Sequence, residues 1–190
     1  MLIWSDNIEL PQNIHDGIND IIEKNHTNKE NYYTSFHEDS SDFSDILVPY
    51  YGKVIERMMK DLGIFKISRY QYNVWVQMYN SKTTTHPPHA HLSGGEIISF
   101  NHIINASKNK CFYFLNDDNN KTYPGEQKSG DIFAWPPWII HGVDNVKEDN
   151  IDRLIVAGNI SLRKYYNLDG SITTECVHDK DNKKFIWKYS

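Results

Sequence analysis

The chain has 190 residues, a mass of 22.3 kDa and a formal net charge of −5 at pH 7. That is the size of one ordinary domain, and 39% hydrophobic with 13% aromatic residues excludes disorder by composition, despite a mean hydropathy of −0.63. No apolar run exceeds five residues, so no bilayer-spanning helix is expected, and the acidic balance gives no electrostatic support for nucleic-acid binding. The opening residues Met1 to Asp6 carry neither a basic segment nor a long apolar stretch, and Cys111 and Cys176 form no C-x-x-C pair. The expectation is a cytoplasmic protein with free thiols and no membrane or nucleic-acid partner.

The first sixty residues read as helical. Pro11 opens a segment from Leu10 to Lys24 in which Ile14, Ile18, Ile21 and Ile22 share one face. A polar, serine-rich connector follows from Asn25 to Ser41. A second helix is expected from Phe43 to Leu62, with Leu47, Tyr51, Val54, Ile55, Met58 and Leu62 as its apolar stripe and Gly63 as its C-cap. His15, His26 and His37 fall on polar faces or in the connector, so no metal ligand is expected before residue 63.

After Gly63 the texture changes to strands: Ile67 to Asn80, Glu96 to Ile104, Lys110 to Leu115, Gly130 to Trp135, His141 to Val146 and Arg153 to Leu162. Short polar turns separate them, which suggests an antiparallel sandwich or barrel. Ile172 to Val177 and Lys184 to Tyr189 flank the turn Asp179 to Asn182 and read as a terminal hairpin.

Three of nine histidines cluster in His86-Pro87-Pro88-His89-Ala90-His91. Residues i and i+2 of an extended strand point to one side, so His89 and His91 can hold one metal ion. The plain alternative is a histidine-rich surface turn. His141 follows a rigid Pro136-Pro137 bend among Trp138, Ile139, Ile140 and Val143, where burying it requires a partner such as a metal or a backbone group. Arg153 heads an apolar strand twelve residues after His141, a spacing that fits two adjacent antiparallel strands. Its planar fork suits a carboxylate facing the cavity; the alternative is a surface ion pair with Asp149 or Asp152. His86, His102 and His178 read as structural or surface residues.

Trp75-Val76-Gln77, Pro87 to His91, Ile98-Ser99-Phe100, Asp131 to His141 and Asp152 to Ile160 together resemble the 2-oxoglutarate and Fe(II)-dependent oxygenases. More narrowly, they look like the uncharacterised oxygenase-like proteins of marine bacteriophages. The resemblance covers roughly residues 70 to 162. It implies a mainly β fold, a double-stranded β-helix (a cupin-like jelly roll) with the N-terminal helices packed on the major sheet. The single domain 1–190 would then comprise a helical cover (1–62), a jelly-roll catalytic core (63–165) and a C-terminal hairpin (166–190).

The resemblance also implies a dioxygenase that hydroxylates a small-molecule or peptide substrate with Fe(II), 2-oxoglutarate and O2. Arg153 would grip the far carboxylate of 2-oxoglutarate, and Tyr79 would be a second cosubstrate contact. The family's usual triad is two histidines and a carboxylate, whereas this chain has His91 where the acid belongs. Six-coordinate iron that takes a bidentate 2-oxo acid and oxygen leaves three positions for protein. Either His89, His91 and His141 fill them, which the reading favours, or Glu96 replaces one of the first two.

Glu96 also carries a competing resemblance. His89-x-His91 followed by Glu96 is similar to the first cupin motif, and Gly130, Pro136, His141 and Asn145 to the second, with Trp138 where a glycine is expected. A cupin-type isomerase or epimerase, or a non-catalytic jelly-roll binding protein, is therefore the alternative. Arg153 and the missing glycine favour the oxygenase.

Overall fold

Alternation of apolar side chains over residues 70–162 builds two facing sheets, and two amphipathic helices cover the outer face of the larger one. The computed structural model describes residues 2–26, 33–36, 41–64, 70–80, 86–91, 95–146, 152–162, 164–166, 172–179 and 184–189. The chain enters as strand β1 (Trp4–Asn7), then helix α1 (Gln12–Asn25), the short β2 (Tyr33–Thr34) and helix α2 (Ser41–Asp61). Ile18, Ile21 and Ile22 of α1 are buried, as the four-residue spacing predicts. Gly63 ends α2 at φ +72°, its N–H bonding Lys60 O at 3.0 Å while Ile64 N–H bonds Met59 O at 2.8 Å. This pair of bonds is the Schellman arrangement, which a residue without Cβ makes readily.

From β3 (Tyr70–Tyr79) onward, the chain passes back and forth between two sheets. The strands β4 (His86–His89), β6 (Phe112–Leu115), β7 (Lys121–Thr122) and β9 (His141–Val143) form the small sheet in the order β4-β9-β6-β7. The strands β5 (Glu96–Asn105), β8 (Asp131–Trp135) and β10 (Arg153–Leu162) join the large sheet, ordered β1-β8-β5-β10-β3-β2. All the strand pairs are antiparallel. This alternation between facing sheets is the winding of a jelly roll.

Period-two alternation sorts the large sheet's side chains. Val76, Ile98, Phe100, Ile132, Ala134, Leu154, Val156 and Ile160 pack with Ile18, Leu47, Tyr51, Ile55 and Met58 of the helices. Trp75, Tyr79, Ile103, Phe133, Trp135, Ile155 and Ala157 face the other way, onto Phe112, Phe114 and Val143 of the small sheet. Gly158 is required where Phe100 crosses β10, because a Cβ there would lie 2.5 Å from the ring.

Several expectations change. The N-terminal segment is not purely helical: β1 pairs with β8 from Trp4↔Ala134 to Asn7↔Asp131, and β2 pairs with β3. Four alternating residues carry too little periodicity to announce an edge strand; the pairing partner creates it. His26 is buried rather than on a polar face, its ring 5.2 Å from that of Tyr33, and His37 lies outside the described residues. The terminal strands β12 (Ile172–Asp179) and β13 (Lys184–Tyr189) pair as expected, and β11 (Lys164–Tyr166) adds a third strand to them. Cys111 is a buried free thiol. No helix among the described residues is long and apolar enough to cross a membrane.

Candidate metal centre

Strand β4 pairs with β9 so that His89 stands directly opposite His141. The chain then continues to His91, whose N–H bonds Pro137 O at 2.8 Å and so ties the histidine segment to the Pro136-Pro137 turn before β9. His89, His91 and His141 thereby converge, with one ligand atom from each within 4.8 Å of the others. The proline turn is what sequence reading could identify, but its apolar shell is different from the expected one. Trp138 and Ile140 are 61% and 45% exposed, because the turn projects them outward. The rings around His141 are those of Trp135 (4.8 Å between centroids) and Phe112 (5.9 Å), contributed by other strands.

Hydrogen bonding fixes which nitrogens are available. His89 Nδ1 lies 3.0 Å from Pro87 O, and His141 Nδ1 lies 3.0 Å from Ile139 O. His91 Nδ1 lies 2.7 Å from Asn159 Oδ1 and 3.0 Å from Ser99 Oγ. Ser99 Oγ donates to the same Asn159 Oδ1 at 2.8 Å. Carbonyl oxygens only accept, so each Nδ1 carries the proton and each Nε2 keeps its lone pair for a metal. Burial pushes the His141 pKa down to about 3, reinforced by the neighbouring histidines and opposed by the Ile139 carbonyl. Burial likewise lowers His91, against the bond to Asn159. Both rings are therefore neutral near pH 7, as ligation requires. Ser99 and Asn159 were not singled out by sequence; only the β5–β10 pairing Ser99↔Asn159 brings them under His91.

Two other groups from the sequence reading take different places. Glu96 lines the mouth of the cavity beside His89 and His91 and is not a member of the three-histidine cluster. His86 is neither remote nor on the surface: its ring stacks on His89 at 4.6 Å, and its Nδ1 is 3.0 Å from Tyr79 Oη, which donates to Gln77 Oε1 at 2.9 Å. Burial holds His86 down to about 4, helped by His89 and His91.

Arg153 is 1% exposed, which excludes a surface ion pair with the exposed Asp152; Asp149 lies outside the described residues. It pairs with Tyr79 across β10 and β3, and its guanidinium lies 5.8 Å from the Tyr79 ring centroid. Neither terminal nitrogen has a hydrogen-bond partner among the described residues, and burial lowers its pKa. A buried cation without an acceptor is costly, so this one calls for an anion. The series His89, His86, Tyr79 and Arg153, with successive separations of 4.6, 6.3 and 5.8 Å, links the triad to that unmet cation.

His89 and His91 also line an outer cavity of about 420 Å³ together with Phe36, Trp75, Gln77 and Glu96 among others. Inward, between the sheets, a chamber of about 40 Å³ is lined by Trp75, Asn101, Phe112, Trp135 and the three histidines. Trp75 Nε1, Asn101 Oδ1 and Trp135 Nε1 are buried without hydrogen-bond partners among the described residues.

No protein-family model matches the chain, and no curated protein matches it by sequence. Solved structures do. A Pseudomonas putida prolyl-4-hydroxylase superimposes with a TM-score of 0.57 at 9% identity, over 83% of this chain and 91% of that one. A Trichoplax adhaerens prolyl hydroxylase, in complex with a hypoxia-inducible-factor peptide fragment, gives 0.58 at 11% identity over 83% and 82%. SnoN, a non-haem α-ketoglutarate-dependent epimerase of nogalamycin biosynthesis, gives 0.55 at 9% identity over 84% and 78%. The fold is thus a double-stranded β-helix of the kind found in 2-oxoglutarate and Fe(II) oxygenases.

Proposed function

We propose that this protein is a non-haem, Fe(II)- and 2-oxoglutarate-dependent oxygenase that hydroxylates its substrate, with residues 63–165 as the catalytic core. The observation that carries the reading is a three-imidazole cluster linked through His86 and Tyr79 to the buried Arg153, whose two terminal nitrogens have no hydrogen-bond partner among the described residues. The donor set fits iron: three imidazole nitrogens suit a divalent first-row ion and leave positions open for other ligands. When bound, Fe(II) and 2-oxoglutarate supply oxidation of a C–H bond by O2, with succinate and carbon dioxide released.

His89, His91 and His141 would hold the metal through Nε2, while Pro87 O, Asn159 Oδ1 and Ile139 O keep each ring's proton on Nδ1. Arg153 would grip the far carboxylate of 2-oxoglutarate with its fork, and Tyr79, whose ring lies under the guanidinium, would position that end of the acid. Trp135 and Phe112, which line the inner chamber, would exclude water from the reacting centre. Substrate enters through the outer cavity, whose volume suits a small molecule or one peptide side chain.

The test is anaerobic absorption spectroscopy of the Fe(II)-loaded chain. Adding 2-oxoglutarate should produce a visible metal-to-ligand charge-transfer band. Iron binding without that band would refute the oxygenase and leave a cupin-type metal protein.

A further inference from the structure

We infer that Asn101 is a cosubstrate-binding residue whose amide would donate to the carboxylate at the metal-binding end of the 2-oxo acid. The inference rests on the oxygenase reading and adds to that site a contact at the end opposite Arg153.

Asn101 lies on β5, is 2% exposed, and its Oδ1 has no hydrogen-bond partner among the described residues. Strand alternation sends it to the face that carries Ser99 and Ile103, between the two sheets. Its cross-strand partners are the apolar Phe133 and Ala157. A leucine has nearly the same size and would suit those neighbours, whereas an unmet carboxamide destabilises the fold. A ligand that meets the amide removes that cost.

Asn101 lines the inner chamber together with His89, His91 and His141. Its side chain is short, so what it presents to the chamber is the amide. Trp75 and Trp135 line the same chamber, and their buried indole N–H groups likewise lack partners among the described residues. Donors of this kind suit a ligand made of acceptors.

Strand register sets which end of the acid meets Asn101. Ser99 pairs with Asn159, the support of His91, and Asn101 pairs with Ala157 one step along. That step is two residues, roughly 7 Å at strand spacing. Arg153 lies four residues beyond Ala157 on β10, roughly 13 Å along the strand. Asn101 therefore stands nearer the support of His91 than the guanidinium, on the side of the metal-binding end. Ala157, which pairs on its other side with Trp75, carries no side chain beyond Cβ and leaves that stretch of floor open.

The oxygens of a 2-oxo acid only accept, so the amide has to offer its N–H. The unmet Oδ1 does not fix the amide's orientation, and half a turn about Cβ–Cγ exchanges it with the NH2 group. A carboxylate that binds metal through one oxygen keeps acceptor positions on the other, and that oxygen is the atom the amide would meet.

The test compares the wild type with Asn101→Leu and Asn101→Ser, each as the full Fe(II)-loaded chain without oxygen. 2-Oxoglutarate is titrated while the visible charge-transfer band is recorded. Both variants should bind the acid about ten- to a hundredfold more weakly, the worth of one hydrogen bond to a charged group. Leucine could also block the acid; serine cannot, so agreement between the two excludes blocking. A donor on the head carboxylate stabilises charge moved from iron onto the acid. At saturating acid the band of both variants should therefore lie at shorter wavelength, while Arg153→Met, which acts on the far end, should leave it in place. Iron affinity should be unchanged, and the metal-free Asn101→Leu chain should melt no lower than the wild type. Unchanged affinity for the acid, an unmoved band or loss of iron in Asn101→Ser overturns the proposal. Failure of both variants to fold also overturns it, by making Asn101 structural. A wild-type band with either of those results sinks Asn101 alone; no wild-type band sinks the oxygenase reading.

Discussion

Replacing Arg153 by Met separates a ligand-binding role from a structural one, because the two predict opposite signs. The side chain is 1% exposed, and both terminal guanidinium nitrogens lack acceptors among the described residues. In the absence of an acid it is a buried charge without a partner, which destabilises the fold. Met has similar length and no charge, so Arg153→Met should be as stable as the wild type, or more stable by about 1–4 kcal/mol. Cosubstrate binding should move the other way. A hydrogen bond between charged groups is worth about 1.5–3 kcal/mol. The dissociation constant for 2-oxoglutarate should therefore rise about ten- to a hundredfold. Arg153→Lys should recover part of the loss, since a point charge cannot reproduce a fork. The assay is anaerobic calorimetry of Fe(II)-loaded protein, with thermal melts with and without 2-oxoglutarate. The ligand-induced rise in Tm should shrink in Arg153→Met. Equal affinities for 2-oxoglutarate, or a Met variant destabilised by several kcal/mol, would refute the reasoning and make Arg153 a structural residue.

Asn159→Ala removes the acceptor that holds the proton of His91 on Nδ1. Metal affinity should fall about 10- to 100-fold with circular dichroism unchanged, and unchanged affinity in a metal titration would show that the Asn159 contact does not matter. His102 is a pH probe remote from the metal, its Nδ1 2.7 Å from Tyr51 Oη and its Nε2 2.8 Å from Ile8 O. Burial holds its pKa down to about 4, against the raising effect of the Ile8 and Gly130 carbonyls. The unfolded chain takes up a proton near pH 6.5 that the folded state refuses until about pH 4, so His102's share of stability is present above pH 6.5 and lost as pH falls through that window. Urea denaturation of the wild type should therefore lose about 2 kcal/mol more between pH 7 and pH 5 than that of His102→Gln; parallel slopes would contradict the assignment.

Much of this architecture follows from local rules. The isoleucine spacing of α1, the apolar stripe of α2 and the stop at Gly63 are set within a few residues of chain. Strand β10 runs from Arg153 to Leu162, and β13 from Lys184 to Tyr189, as residue type alone suggests. Alternation also puts Arg153, Ile155, Ala157 and Asn159 at positions of one parity on β10. The histidine candidates were legible too, because His89-x-His91 and the proline-framed His141 are short-range patterns.

Tertiary structure alone decided the rest. Edge strand β1 exists because β8 offers it a partner, and four residues cannot specify that by themselves. The β4–β9 pairing puts His89 opposite His141. The Ser99↔Asn159 pairing builds the support of His91 from residues sixty positions apart. His86 enters the site by stacking on His89, while Trp138 leaves the interior because the turn projects it outward. Whether Arg153 meets an aspartate at the surface or stands buried without a partner depends on which strands close over it. Such facts belong to register and burial, and both are set by packing between segments distant in sequence.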